Sequence, residues 1–352
     1  MIKYYTRACN FYYGKQSKKL IKKGLTLPLN GNKEISFDNI EIFIKKKNLV
    51  SSKIINLGQI KLQRKYLKQK IEYDLKRIVS KKKLPINKSH IIMGILNLTP
   101  DSFSDGGKFN SFSKALKQIE NMIDYGADII DVGGESTRPG SKIIPSKLEW
   151  QRVEKIIKKF KKKYSKILLS IDTRKSLVMK NSLRFKADII NDVSCFEFDK
   201  NSYESIKNKN VWKILHHMKG TPQTMQNNPK YNNVLLEIYD FFENQIKKFK
   251  KDHYPRKFIL DPGIGFGKNL KHNLMILSKI SLFHSLGFPI LIGTSRKRFI
   301  NQIAGKFDTK ERIGGTLSSV LFSLSQGVNI FRVHNVSEVK QGIMVYENLL
   351  NK

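Results

Sequence analysis

An α/β fold, a (β/α)8 or TIM barrel carrying a small N-terminal α+β appendage, is predicted by three features of this 352-residue sequence. From about residue 90 onward, eight short apolar runs alternate with stretches of helical spacing. Nearly every run ends in a carboxylate, an amide or a cation. The first 88 residues share neither pattern. Alternating buried strands and helices make parallel βαβ units. Eight such units over about 260 residues match the barrel's size, although spacing alone also admits an open, doubly wound sheet.

The elements follow in order. In residues 1–88, "LTLPLNGNKEISFDNIEIFIKK" alternates apolar and polar residues around Asn30-Gly31, a hairpin signal. From about Lys61 to Lys82 the sequence reads as a Lys-rich helix that ends before Pro85. Residues 89–352 hold the barrel. Its strands are expected at Ile91–Leu96, Asp128–Val132, Ile167–Ile171, Ala187–Ile190, Val211–Leu215, Phe258–Leu260, Pro289–Ile292 and Asn329–Val333. Helical spacing marks, among others, Phe112–Tyr125, Pro145–Tyr164, Leu235–Lys251 and Ile313–Gln326.

In a barrel, function collects on the loops after the strands. Asn97 ends the first strand, and the Ser- and Gly-rich run after it, with Phe103 and Asp105, suits a mobile lid. "ADIIDVGGESTRPGS" leaves Glu135, Thr137 and Arg138 in a Gly-flanked loop. Later strands end at Asp172, at Asn191 and Asp192, at His217 and Met218, and at Asp261 and Lys268. The last two end at Ser295, Arg296 and Lys297, and at Arg332 and His334. One Asp after a strand is ordinarily a turn or helix cap. Eight polar strand ends in phase on one face do not fit that explanation.

Their chemistry suits a flat polar ring. A buried carboxylate such as Asp261 can accept two parallel N–H bonds from an amidine-like edge, and Asn191 can donate and accept together. Thr137, Arg138, Arg332 and His334 offer donors and charge to phosphate oxygens. Gly263, Gly265 and Gly267 fit a tight turn beneath a flat ligand better than a phosphate loop, because GxGxG alone is a weak signal. No HExxH or clustered Cys/His spacing points to a dedicated metal cage.

Composition narrows the class. Forty per cent hydrophobic residues support a core, and two Cys exclude a disulfide framework. The net charge of +37 is nearly all Lys, with 12 Arg among 66 basic residues. Residues 1–88 hold 23 basic and 5 acidic side chains. A/T-rich codons account for this bias; a real polyanion surface is the other reading. The acid-free, Tyr- and Lys-rich start lacks the apolar segment of a secretory signal and the Arg and Ser of a mitochondrial one. A cytoplasmic protein is expected.

"IMGILNLTPDSFSDGG" and "GADIIDVGGESTRPGS" resemble the two signature segments of the dihydropteroate synthase family. "SIDTRK", "INDVS", "HHMKG", "LDPGIGFGKN", "GTSRKRF" and "FRVHNV" continue the match in order over about residues 90–350. The resemblance implies condensation of 6-hydroxymethyl-7,8-dihydropterin diphosphate with p-aminobenzoate, with diphosphate leaving first, helped by Mg2+. It places Asp172, Asn191, Asp261 and Lys297 on the pterin edge, with Met218 and Phe266 near the ring faces. Asn97 would meet the magnesium-bound diphosphate, and Thr137, Arg138, Arg332 and His334 its oxygens. Asn97, Asp105, Arg138, Asp172 and Lys297 make up the implied catalytic set. Phe103, Thr137 and Pro139 would line the p-aminobenzoate site. Arg298 stands where many members carry a Ser tied to the p-aminobenzoate carboxylate, so it either binds that group or points to solvent. The family further implies small-molecule substrates, a homodimer, and neither a membrane nor a specific nucleic acid as partner.

Two other readings compete: a pterin-binding methyltransferase domain and a non-catalytic, polyanion-binding barrel. The first has no need of the Ser-rich loop or "GESTRPGS", and the second none of the polar strand ends. Deleting residues 1–88 removes none of those ends, so kcat is expected within roughly tenfold if the barrel folds alone. The alternative is that the Tyr-rich start and the hairpin pack on the barrel and support it.

Overall fold

The computed structural model describes residues 2–99, 108–249, 257–305 and 307–350. Phe103 and Asp105 lie outside them. The chain opens with an antiparallel sheet of β1 (Ile2–Tyr13), β2 (Leu27–Leu29), β3 (Asn32–Lys46) and β4 (Leu49–Asn56), accompanied by α1 (Gly14–Lys22) and α2 (Lys65–Val79). Asn30 and Gly31 form the expected hairpin turn, with φ of 54° and 70°. Both angles are left-handed, as a tight two-residue turn requires.

β1 had no predicted element, and its burial explains why. It pairs with β3 from Ile2↔Lys46 to Tyr13↔Ile35. Ala8, Ile40 and Ile42 pack toward Leu67, Ile71 and Ile78 of α2. Tyr5 and Phe43, in the opposite phase, join the main core of the barrel. Both faces are covered, so the apolar–polar alternation of a half-exposed strand is missing.

The barrel follows: β5 (Ile91–Asn97), β6 (Ile129–Gly133), β7 (Leu168–Asp172), β8 (Ile189–Asp192), β9 (Trp212–His216), β10 (Phe258–Asp261), β11 (Leu291–Ile292) and β12 (Ile330–Val333). All are parallel, in the order β10-β9-β8-β7-β6-β5-β12-β11. A bridge from Leu260 to Ile290 closes the ring, so the barrel prevails over the open sheet. Helices α3 (Lys108–Asp124), α4 (Ser146–Lys163), α5 (Ser176–Arg184), α6 (Ser202–Ile206), α7 (Val234–Lys248), α8 (Leu270–Ser278), α9 (Arg298–Ala304), α10 (Ile313–Leu324) and α11 (Val336–Leu350) lie between and after the strands. No helix among the described residues is long and apolar enough to cross a membrane.

Side chains alternate in and out along each strand. Ile91, Met93, Ile129, Ile189, Trp212, Ile214, Ile259, Leu291 and Ile330 fill the lower interior, with Leu84 and Ile86 packed against them. Two residues further along the same inward phase, apolar side chains give way to Asp131, Ser170, Asn191, His216, Asp261 and Arg332. The barrel is therefore dry at one end and ionic at the other.

Candidate active site

Arg332 organises the ionic end. Its Nε donates to Asp131 Oδ2 at 2.6 Å and its Nη2 to Asp172 Oδ2 at 2.8 Å. Asp131 also accepts from Ser170 Oγ at 2.6 Å and from Asn191 Nδ2 at 3.2 Å. Neighbouring strands set this contact, because Asp131 pairs in register with Ser170, and Asp172 with Asn191. Burial pushes the Asp172 carboxyl up against the pull of Arg332.

Asp261 closes the other side. Its Oδ1 accepts from Gly263 N at 2.8 Å, while Oδ2 lies 3.9 Å from His216 Nε2. His216 Nδ1 is 3.1 Å from the Val193 carbonyl, which can only accept, so the proton sits on Nδ1 and Nε2 is bare. Burial, with Lys268 and Lys297 nearby, keeps this imidazole neutral. Burial also pushes Asp261 up to about 6. Lys297 is pushed down to about 8, first by burial and then by Arg332. Its Nζ lies 4.1 Å from the Phe266 ring centre. Met218 and Phe266 are half-buried beside these groups.

Arg296, the residue before Lys297, is held at a left-handed φ of 60°. Its N–H donates to Thr316 Oγ1, and its guanidinium donates twice to Asn335 Oδ1. Such strain persists only where surroundings over-determine it, and these three bonds hold Arg296 in place. His334 is half-buried and neutral, pushed down to about 3 by desolvation and the cations around it. Ser295 Oγ accepts the His334 backbone N–H and lies 3.0 Å from Nδ1. A hydroxyl that already accepts one N–H donates well to Nδ1, and this leaves the proton on Nε2 as a neutral donor.

The other expected residues occupy varied places. Asn97 is half-buried, in register with Gly133. Thr137 is half-buried, and Arg138, Pro139 and Arg298 are exposed. The resemblance assigns Arg332 to the diphosphate; its guanidinium is forked between the carboxylates of Asp131 and Asp172. Glu135 is a buried anchor for its loop. Arg174 donates to it twice, Lys175 Nζ lies at 2.7 Å, and Ile144 N closes the loop's far end at 3.1 Å. Gly263 and Gly267 serve loop packing, since an added Cβ would lie 2.0 Å from His217 O and 2.5 Å from Lys219 O. Gly265 faces Lys297.

Asp131 and His216 were missed by sequence reasoning. Asp131 lies inside β6 and His216 is the last residue of β9, both in the inward phase, and a polar residue in that phase was the available signal.

The model of the pterin binding enzyme family matches residues 93–334. The dihydropteroate synthase of Escherichia coli K12 is 40% identical over 261 residues, which cover 74% of this chain and 92% of that protein. The chain belongs to the dihydropteroate synthase family. Its Synechocystis member is 41% identical over 253 residues, 71% of this chain and 86% of its own. Two solved dihydropteroate synthases superpose on the barrel. The Yersinia pestis enzyme, in a sulfonamide drug complex, gives a TM-score of 0.70 at 35% identity, covering 75% of this chain and 95% of its own. The Xanthomonas albilineans enzyme with 4-aminobenzoic acid gives 0.69 at 31%, covering 76% and 96%. The appendage lies outside the matched family region.

The shifted groups predict a bell-shaped pH dependence for pterin binding. As pH falls through about 6, Asp261 takes up a proton and loses its charged acceptor. As pH rises through about 8, Lys297 loses its charge. Calorimetric affinities should peak between these limits. A flat profile from pH 5 to pH 9 would remove both groups from recognition.

Proposed function

We propose that this chain condenses 6-hydroxymethyl-7,8-dihydropterin diphosphate with p-aminobenzoate, giving 7,8-dihydropteroate and diphosphate in folate biosynthesis. One observation carries the reading: the acceptors grouped at the buried strand ends. Asp172 pairs in register with Asn191, and Asp261 with His216, all in the inward phase of the barrel, and their acceptors complement the N–H groups of a pterin's pyrimidine ring. Lys297 adds a donor for ring oxygen or nitrogen. Met218 and Phe266 flank the ring. Thr137, Arg138, Arg332 and the Nε2–H of His334 surround the diphosphate.

The reaction is dissociative. The bond between the pterin methylene carbon and the diphosphate oxygen breaks first, and the electron pair leaves on oxygen. Arg and His donors stabilise that developing charge, while Asp172 balances the positive charge left on the pterin. The amine nitrogen of p-aminobenzoate then bonds to the carbon and loses its proton. No protein nucleophile takes part. Pro139 and Arg298, both exposed, serve the second substrate; Phe103 and Asp105 fall outside the described residues.

A magnesium ion fits here as a companion of the diphosphate. Among the described residues no group of three His, Cys, Asp or Glu side chains could hold one, and Asn97 offers one amide oxygen at the end of β5. Mg2+ commonly keeps its waters and takes substrate phosphates with few protein ligands. When bound, it supplies charge to the leaving group. We also propose that the protein is a cytoplasmic homodimer that takes small-molecule substrates.

The order of binding tests the function. The loop bearing Arg138 and Pro139 is exposed, with little apolar content to hold a second pocket closed. In calorimetry, p-aminobenzoate should bind well only when pterin and diphosphate are both present. Tight binding to the bare enzyme would contradict the scheme.

A further inference from the structure

We infer that Asp131, inside β6, is a positioning residue that sets the orientation of the Asn191 amide and thereby which ring edge the barrel accepts. The inference rests on the pterin reading above. Asp131 is fully buried, and its donors come from neighbouring side chains: Arg332 Nε, Ser170 Oγ and Asn191 Nδ2. With Arg332 Nε and Ser170 Oγ already donating to it, the carboxylate presents an acceptor oxygen to Asn191. The Asn191 atom facing it must therefore be nitrogen, since the flipped amide would set oxygen against oxygen.

The consequence appears at the other end of the amide. Asn191 Oδ1 is buried and has no hydrogen-bond partner among the described residues. Buried polar atoms without partners are uncommon and call for an explanation. Asn191 stands beside Asp172 in strict register, so its bare oxygen extends the row of acceptors made by Asp172, Asp261 and His216 Nε2. A heterocycle that presents consecutive N–H groups matches this row. A ring with a carbonyl at the same edge sets lone pairs against lone pairs. Without the Asp131 charge, the Asn191 amide is free to turn and accept either ring.

The test compares 6-hydroxymethylpterin with 6-hydroxymethyllumazine, in which a carbonyl replaces the 2-amino group. The unaltered chain should prefer the pterin. Asp131→Asn should reduce the ratio of the two affinities by roughly tenfold or more, because discrimination then lacks an oriented acceptor. Asn191→Ala should reduce it similarly, and the double variant should add nothing further. A loss of general stability would weaken both ligands alike and leave the ratio untouched. An unchanged ratio in Asp131→Asn, or additive losses in the double variant, would overturn the inference. Should Asp131→Asn not fold, Asn191→Ala decides, since it keeps the Asp131–Arg332 pair: a retained ratio overturns the inference and a lost one supports it. If the unaltered chain binds neither ring, the pterin reading itself fails, and that result is distinct from the others.

Discussion

Asp261→Asn is expected to weaken pterin binding by about 2–4 kcal/mol, roughly 30- to 1,000-fold. The substitution keeps the size of the side chain and changes only what it presents. In the protein, Oδ1 is occupied by Gly263 N at 2.8 Å, so Oδ2 is the oxygen left for a ligand. An Asn that keeps the Gly263 bond must turn its NH2 toward the ring, donor against donor. It can also donate to the bare His216 Nε2, 3.9 Å from Oδ2, which would remove a second acceptor. Calorimetry with a pterin ligand reads the change. Affinity that stays the same would take Asp261 out of the site.

Removing residues 1–88 is expected to give an insoluble or unfolded barrel. This corrects the expectation that a free barrel keeps its kcat, because the sheet face toward the barrel is a buried, charge-paired seam. Tyr5 is fully buried and meets Tyr239 edge-on at 5.1 Å. Its hydroxyl donates to Asp240, to which Lys3 and Lys45 also bond at 2.6 and 3.0 Å. Glu41, also buried, joins Arg7 at 2.8 Å to Lys279 of the barrel at 2.5 Å. Ser281 Oγ donates to Ala8 O, and Asn30 Nδ2 to Gly327 O. Truncation strips the cover from Tyr239, Ser281 and His284, all at most 1% exposed. The single variant Tyr5→Ala isolates part of this loss and should cost about 3–5 kcal/mol, as for other large aromatic truncations. That is a large share of the 5–15 kcal/mol typical of a domain. Circular dichroism melts check both. A truncated chain that melts cooperatively near the full-length temperature would show that the seam is dispensable.

The barrel was legible because its strands are buried on both faces and its helices on one, and those are the patterns a sequence displays. Strands came within a residue or two of their observed limits, as β5 and β12 illustrate. The placement of polar residues at the strand ends was legible too, since Asp172, Asn191 and Asp261 each end an apolar run. Three things were not. β1 is covered on both sides by different partners, so its Tyr and Thr residues show no alternation. Asp131 lies within β6 and His216 closes β9, and only three-dimensional phase distinguishes such an inward residue from an outward one. Glu135 looked like a loop carboxylate for chemistry, but Arg174 and Lys175, about 40 positions later, enclose it. Pairings between distant positions cannot be read from local spacing.

The most direct measurement of the central claim is turnover by the full-length chain. With 6-hydroxymethyl-7,8-dihydropterin diphosphate, p-aminobenzoate and Mg2+, it should release diphosphate and form 7,8-dihydropteroate in equal amounts, and Asp261→Asn should depress both together. A folded chain that binds pterin yet forms no dihydropteroate would contradict the account.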